Sequence, residues 1–495
     1  SLFDRSHLQE QMMEYNKAIV YTMLMMALSL PISYAWSNQT IHYITNQTTY
    51  SPNKYGKLQT MPKSKFNKKA PEIHLLQLSG NATQRGYAHG YLLHKQIIDW
   101  SVFYLYKSNM KGNLTYYNYM YNSWNDAQFI DSEFKFEVDS MYQGMIDAAK
   151  MSGADLFVPD YGRIFTVKDI YLMNAYLEVT PNNSFKTPGP FVGGKEKKSP
   201  ACSQFVFWGD DSTSETLSGR NMDGECDDTY VTVSHLIVFA ISGLNEKRFI
   251  SIMWPGHVGG LSLFNEDGLY IMLNCGSTGD SKGKVGTTTN VTGIEYFMRT
   301  VISTMDGHDA NPSNIMAHVG KYKSSTGGIS GSGSILVFAR PSISNTASSS
   351  SYGPPGFVVE VDRYGGEIRT NTDDKFVVAT NHFVKYGVDE KTDPSHDKYS
   401  PWENFGLPVV SPGSTSWWRH AAVLNAVRSK IRVNKMTSDF INAKHILQNA
   451  GHGTTEHSVV FSPNKKRFGI AVAMPFKKWD APYLDWFEYD FEEMF

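Results

Sequence analysis

Cys202-Ser-Gln-Phe-Val-Phe-Trp208, the polar stretch Gly209 to Glu215, and Leu217-Ser-Gly-Arg-Asn-Met-Asp223 decide how the rest of this 495-residue chain is read. Phe205, Val206, Phe207 and Trp208 have the aromatic and β-branched content of a buried strand, and Gly209-Asp-Asp-Ser-Thr-Ser-Glu215 has the turn-forming content of a hairpin loop. Two antiparallel strands are therefore expected. With the turn centred near Ser212, paired positions sum to roughly 423, within a few residues, which places Cys202 beside Arg220. A guanidinium within reach of a thiol favours the thiolate, the species that acts as nucleophile. Asp223, at the end of the return strand, is placed to orient an amine or thiol proton.

A cysteine at the start of a core strand is by itself most often an inert small hydrophobe. The surroundings point the other way. Cys202-Ser, followed after one hairpin by Gly219-Arg-Asn-Met-Asp223, resembles the N-terminal nucleophile cysteine hydrolases of the choloylglycine hydrolase, acid ceramidase and penicillin acyltransferase type. In that family a precursor is cut just before the cysteine, whose freed α-amine becomes the base. The resemblance implies a processing site at Ala201–Cys202. Thr180 to Pro200, with Pro181, Pro188, Pro190 and Pro200, has the composition of an exposed extended loop leading into it. It further implies an N-terminal piece of residues 36–201 and a catalytic piece of 202–495, associated in one domain. An α-amine with an ordinary pKa of about 7.7 to 8.0 can take the thiol proton near neutral pH without a histidine.

Other segments extend the resemblance over roughly residues 73 to 475. Phe264-Asn-Glu-Asp-Gly-Leu-Tyr-Ile-Met-Leu-Asn274 reads as a hairpin and is similar to the segment whose strand carries a site asparagine, which implies Asn274 as an oxyanion donor. Thr380-Asn-His-Phe383 resembles the step that supplies a second, Asn381. Without the Cys202 context each reads as a strand-end Asn bonding its own backbone. Ser416-Trp-Trp-Arg-His420 opens a helix in which Arg419 either supports the site or makes a surface ion pair. Gly86-Tyr-Ala-His-Gly90 and Asp169 to Glu178 are also similar to the family, and His89, Asn174 and Glu178 are expected to be packing residues. Strands joined by hairpins, interspersed with helices, predict an α+β fold of two stacked antiparallel sheets covered by helices. The resemblance implies the αββα four-layer sandwich of the N-terminal nucleophile hydrolases. The ordered fold is expected to begin at Ile73-His-Leu-Leu-Gln-Leu78, after a loosely ordered lead-in from Ser37 to Ala70.

A net charge of −2 and a pI near 6.7 leave no basic footprint for nucleic acid. Residues 1–35 are expected to hold upstream residues and a signal peptide, with an apolar run from Ala18 to Leu30 and small residues at Ser33-Tyr34-Ala35, or else a signal anchor. Sequons at Asn38, Asn46, Asn81, Asn113, Asn182 and Asn290 agree with a secretory route to the outside or to a lysosomal or vacuolar lumen. Three cysteines are too few for a disulfide scaffold, although Cys226 and Cys275 are candidates to pair in an oxidising lumen. No Cys/His cluster has metal-ligand spacing and no Gly-rich phosphate loop occurs, so neither metal nor cofactor is expected.

These features predict a self-processing cysteine hydrolase or acyltransferase that acts on a small-molecule acyl amide, ester or thioester. Phospholipase B-like lysosomal hydrolases share the leader, the internal cysteine and the two-piece product, but their motifs downstream of the cysteine are missing here. A secreted, catalytically inactive binding protein on the same fold is the alternative from a different class.

Overall fold

The structure is a computed structural model that describes residues 40–179, 201–209, 215–224, 231–276, 291–325, 328–329, 333–342, 353–362, 365–371, 374–386, 416–432, 440–451, 453–474 and 480–495. The leader, the segment 181–200, Cys226, and the sequons at Asn38, Asn182 and Asn290 lie outside them. Two stacked sheets organise the molecule. The first has ten strands, running in space Thr49–Tyr50, Gly56–Thr60, His74–Gly80, Ile237–Gly243, Phe249–Met253, Ser262–Asn265, Tyr270–Cys275, Ser334–Ala339, Gly356–Asp362 and Gly365–Arg369. All neighbours are antiparallel except His74–Gly80 with Ile237–Gly243, which run parallel. The second has six antiparallel strands: Phe376–Ala379, Ala201–Trp208, Thr216–Asp223, Thr455–Ser462, Arg467–Val472 and Phe487–Asp490.

The period-two alternation of Ala201–Trp208 assigns the layers. Val206 and Trp208 point at the large sheet, where they meet Gly356. Phe205 points outward into a separate apolar cluster with Leu217, Phe376, Val423, Val427, Ile446 and Leu447, beneath the helices Ser416–Arg432 and Phe440–Gln448. Gly219 leaves room for that ring: a Cβ there would sit 2.5 Å from Phe205 Cε1. On the far side, the helices Ala82–Asp99 and Ile294–Thr304 pack on the large sheet, and Ser132–Met151 packs on Ala82–Asp99. The result is an αββα sandwich.

Several details depart from the sequence reading. The lead-in is not wholly irregular, because Gly56–Thr60 adds to the edge of His74–Gly80 and buries Leu58. Only the neighbouring strand makes that short segment a strand, so its own composition carried little signal. The helix from Ala82 continues past Asp99 as a π-helical stretch, Trp100–Asn109. The closing hairpin of Thr455–Ser462 with Arg467–Val472 is followed by one more strand, Phe487–Asp490. Asn81 and Asn113, both sequons, serve as helix caps: Asn81 Oδ1 accepts from Gln84 N at 2.9 Å and Asn113 Oδ1 from Tyr116 N at 2.8 Å. Asn46 is exposed.

Candidate active site

The hairpin register places Cys202 opposite Met222, and Arg220 opposite Gln204. Cys202 and Arg220 therefore share one face of the sheet on a diagonal, because residues two apart point the same way. The 2 %-exposed thiol and the 1 %-exposed guanidinium lie between the sheets. Arg220 Nη2 donates to Cys202 Sγ at 3.5 Å. The guanidinium is held by Leu261 O (2.7 Å), Ser262 Oγ (2.6 Å) and Leu273 O (2.6 Å), so its approach to sulfur is fixed from both sides.

The backbone of Cys202 is held by residues far away in sequence. Its N–H donates to Asn381 Oδ1 at 2.7 Å, and its carbonyl accepts from Arg419 Nη1 at 2.5 Å. Arg419 also donates to Ser203 Oγ and to Asn381 Oδ1, both at 2.9 Å, and stands 3.8 Å from Asp223 Oδ2. It is fully buried, and burial lowers its pKa from the ordinary value against the pull of Asp223 and Cys202. A surface role for Arg419 is thereby excluded. Asp223 faces the helix side, accepts from Thr455 Oγ1, and pairs in register with Ala201, the residue before Cys202.

Asn274 lies in the strand Tyr270–Cys275 of the large sheet, whereas Asn381 follows the strand Phe376–Ala379 of the second sheet. Asn274 Oδ1 accepts from Gln204 Nε2 and its Nδ2 donates to Thr380 O at 2.9 Å; Asn381 Nδ2 donates to Cys275 O at 2.9 Å. Each of these two amides directs a hydrogen at a backbone carbonyl. Asn381 is itself positioned by Ser416, whose Oγ accepts from Asn381 N at 2.8 Å and bonds Thr380 Oγ1 (2.9 Å) and His382 Nδ1 (2.7 Å).

The cavity beside Cys202 is lined by Tyr104, Tyr176, Met222, Leu261, Leu273 and Cys275 and has a volume of about 20 Å³, little more than one water. The sequence does not place Tyr104 and Tyr176 at the cavity or Gln204 and Ser416 at the site. For Tyr104 the aromatic density between Trp100 and Tyr106 is a signal, but nothing in it specifies the direction of those rings. Cys275, set aside as a disulfide candidate, lies in this cavity.

No family model matches the sequence, and no curated protein matches it. Solved structures similar to the chain include a Caenorhabditis elegans ortholog of N-acylethanolamine-hydrolyzing acid amidase, 14% identical, covering 58% of this chain and 99% of that chain at a TM-score of 0.35. A mutant of the conjugated bile acid hydrolase from Clostridium perfringens is 12% identical over 58% of this chain and 96% of its own, at 0.34. Penicillin V acylase from Agrobacterium tumefaciens is 14% identical over 55% and 83%, at 0.33. At these identities and TM-scores the chain is similar to them in outline alone.

Proposed function

We propose that this protein is a self-processing cysteine hydrolase or acyltransferase of the N-terminal nucleophile type, with Cys202 as nucleophile. The observation that carries this reading is the convergence on one residue: Arg220 at the sulfur, Asn381 at the nitrogen and Arg419 at the carbonyl of Cys202. A structural cysteine needs none of these, and three buried side chains aimed at its three functional groups are costly to assemble otherwise.

In the first step Cys202 Sγ attacks the Ala201 carbonyl, the C–N bond breaks, and Cys202 N takes the proton as the thioester forms. Water then opens the thioester, leaving a carboxylate on Ala201 and a free amine on Cys202. That amine keeps Asn381 Oδ1 as an acceptor, which turns its lone pair toward the thiol proton. In turnover the amine accepts this proton, the thiolate adds to an acyl carbonyl, and Asn274 and Asn381 turn a hydrogen to the oxyanion. The protonated amine hands its proton to the leaving group. Water, or an amine acceptor, resolves the acyl-enzyme. Asp223 supports the site through Arg419.

Tyr104, Tyr176, Met222, Leu261 and Leu273 favour an apolar acyl group. Among the described residues the cavity at Cys202 holds about 20 Å³, and release of Cys202 N from Ala201 is expected to enlarge it. The two pieces, 36–201 and 202–495, remain associated, and a secretory route to the outside or to a lysosomal lumen supplies the setting. Intact-mass analysis and N-terminal sequencing of the secreted protein, beside Cys202→Ala, test this reading. A fragment beginning at Cys202, absent from the variant, is the expected result, followed by release of acyl groups from N-acyl amides. A chain that stays whole at acidic and neutral pH refutes it and favours the inactive binding protein.

A further inference from the structure

The loop 254–260 joins Phe249–Met253 to Ser262–Asn265 and runs directly into Leu261. Leu261 matters twice: its side chain lines the cavity at Cys202, and its carbonyl accepts from both Arg220 Nη1 (2.7 Å) and Leu273 N (3.0 Å). With Gly256 at φ +87° and glycines at 259 and 260, the loop has little of its own to define its path. Side chains from elsewhere hold it. Asn174 Oδ1 accepts from Val258 N at 3.0 Å while its Nδ2 donates to Gly256 O at 2.8 Å. His89 Nε2 accepts from Gly256 N at 3.0 Å, and Arg299 Nη1 donates to Val258 O at 2.6 Å. The N–H and C=O of both Gly256 and Val258 are thus read by side chains. Asn174 and His89 are 3 % and 1 % exposed. Burial, with His257 adding to it, lowers the His89 pKa to about 3, so Nε2 keeps its lone pair for Gly256.

We propose that Asn174 and His89 are positioning residues for the Cys202 chemistry: by clamping Gly256 and Val258 they fix Leu261, and through its carbonyl they hold the Arg220 guanidinium at the sulfur. This rests on the reading of Cys202 as nucleophile. Both residues precede the processing site, so the N-terminal piece is a working part of the catalytic centre after cleavage and not a discarded pro-segment.

The test uses the full-length chain and follows the rate at which the fragment starting at Cys202 appears, then kcat and KM on an N-acyl amide. Asn174→Ala and His89→Phe are expected to slow cleavage and kcat at least tenfold, with KM within about threefold. His89→Gln, which restores an acceptor to Gly256 N, is expected to recover most of the rate. Faster deuterium exchange in the peptide containing Gly256 and Val258 is expected in the first two variants. Tyr142→Phe, which removes a hydrogen bond to Phe165 O at the helix layer, controls for lost stability and is expected to leave the rate unchanged. If Asn174→Ala and His89→Phe cleave and turn over at the wild-type rate, or slow no more than Tyr142→Phe, the positioning role is overturned while the nucleophile stands. Wild-type protein that never cuts at acidic or neutral pH overturns both.

Discussion

Replacing Arg220 with Gln removes the guanidinium that donates to the Cys202 sulfur. Arg220 Nη2 donates to the sulfur at 3.5 Å, and a hydrogen bond from a charged donor contributes about 1.5–3 kcal/mol. Loss of that bond is expected to slow self-cleavage between about tenfold and about a hundredfold. Arg220→Lys separates charge from geometry. It keeps the charge, but a single ammonium cannot span Leu261 O, Ser262 Oγ and Leu273 O, all within 2.7 Å of the two guanidinium nitrogens. Its rate is expected to fall between wild type and Gln. The assay is a time course of intact mass at fixed pH, with urea unfolding of each variant in the Cys202→Ala background to report stability separately. A Gln variant that folds and cleaves as fast as wild type would refute the electrostatic role of Arg220.

Asn381→Ala removes the acceptor of the Cys202 N–H; with a buried donor left unpaired at a cost of about 1–3 kcal/mol, cleavage followed by intact mass is expected to slow tenfold or more. Gly219→Ala puts a Cβ against the Phe205 ring and is expected to cost about 1–3 kcal/mol in urea unfolding, with part recovered on adding Phe205→Leu. His89 is neutral in the fold with its pKa lowered to about 3, chiefly by burial. The unfolded chain takes up that proton first as pH falls. Stability from this group is therefore complete above about pH 6.5 and is lost progressively toward pH 3, amounting to about 2 kcal/mol at pH 5. His457, pushed well below its ordinary value by burial and by Arg220, acts in the same direction. Urea midpoints of Cys202→Ala are expected to fall from pH 7 to pH 5, and a flat profile would count against both histidines being buried neutral.

The clamp and the pH profile bear on each other. An acidic lumen would draw on the stability that buried histidines withhold, yet it would leave the His89 lone pair on Gly256 intact down to low pH, because the same burial that raises the cost of protonation preserves the acceptor.

The hairpin at Cys202 was legible from sequence because turn composition and period-two alternation act over a few residues, and the register came within the stated error, with Met222 opposite the cysteine. The sandwich followed from the same local patterns repeated along the chain. Tertiary structure alone decided which distant side chains meet Cys202. Arg419 read equally well as an exposed ion pair until the helix Ser416–Arg432 laid it, fully buried, against Ala201–Trp208. His89 and Asn174 read as helix packing, and they are buried as expected, but their shared target is the backbone of a glycine-rich loop. Backbone amides and carbonyls are the same at every position, so no residue type in that loop advertises which imidazole or carboxamide will bond to it. That pairing exists only once two sheets and two helices have closed around it and excluded the water that would otherwise take its place.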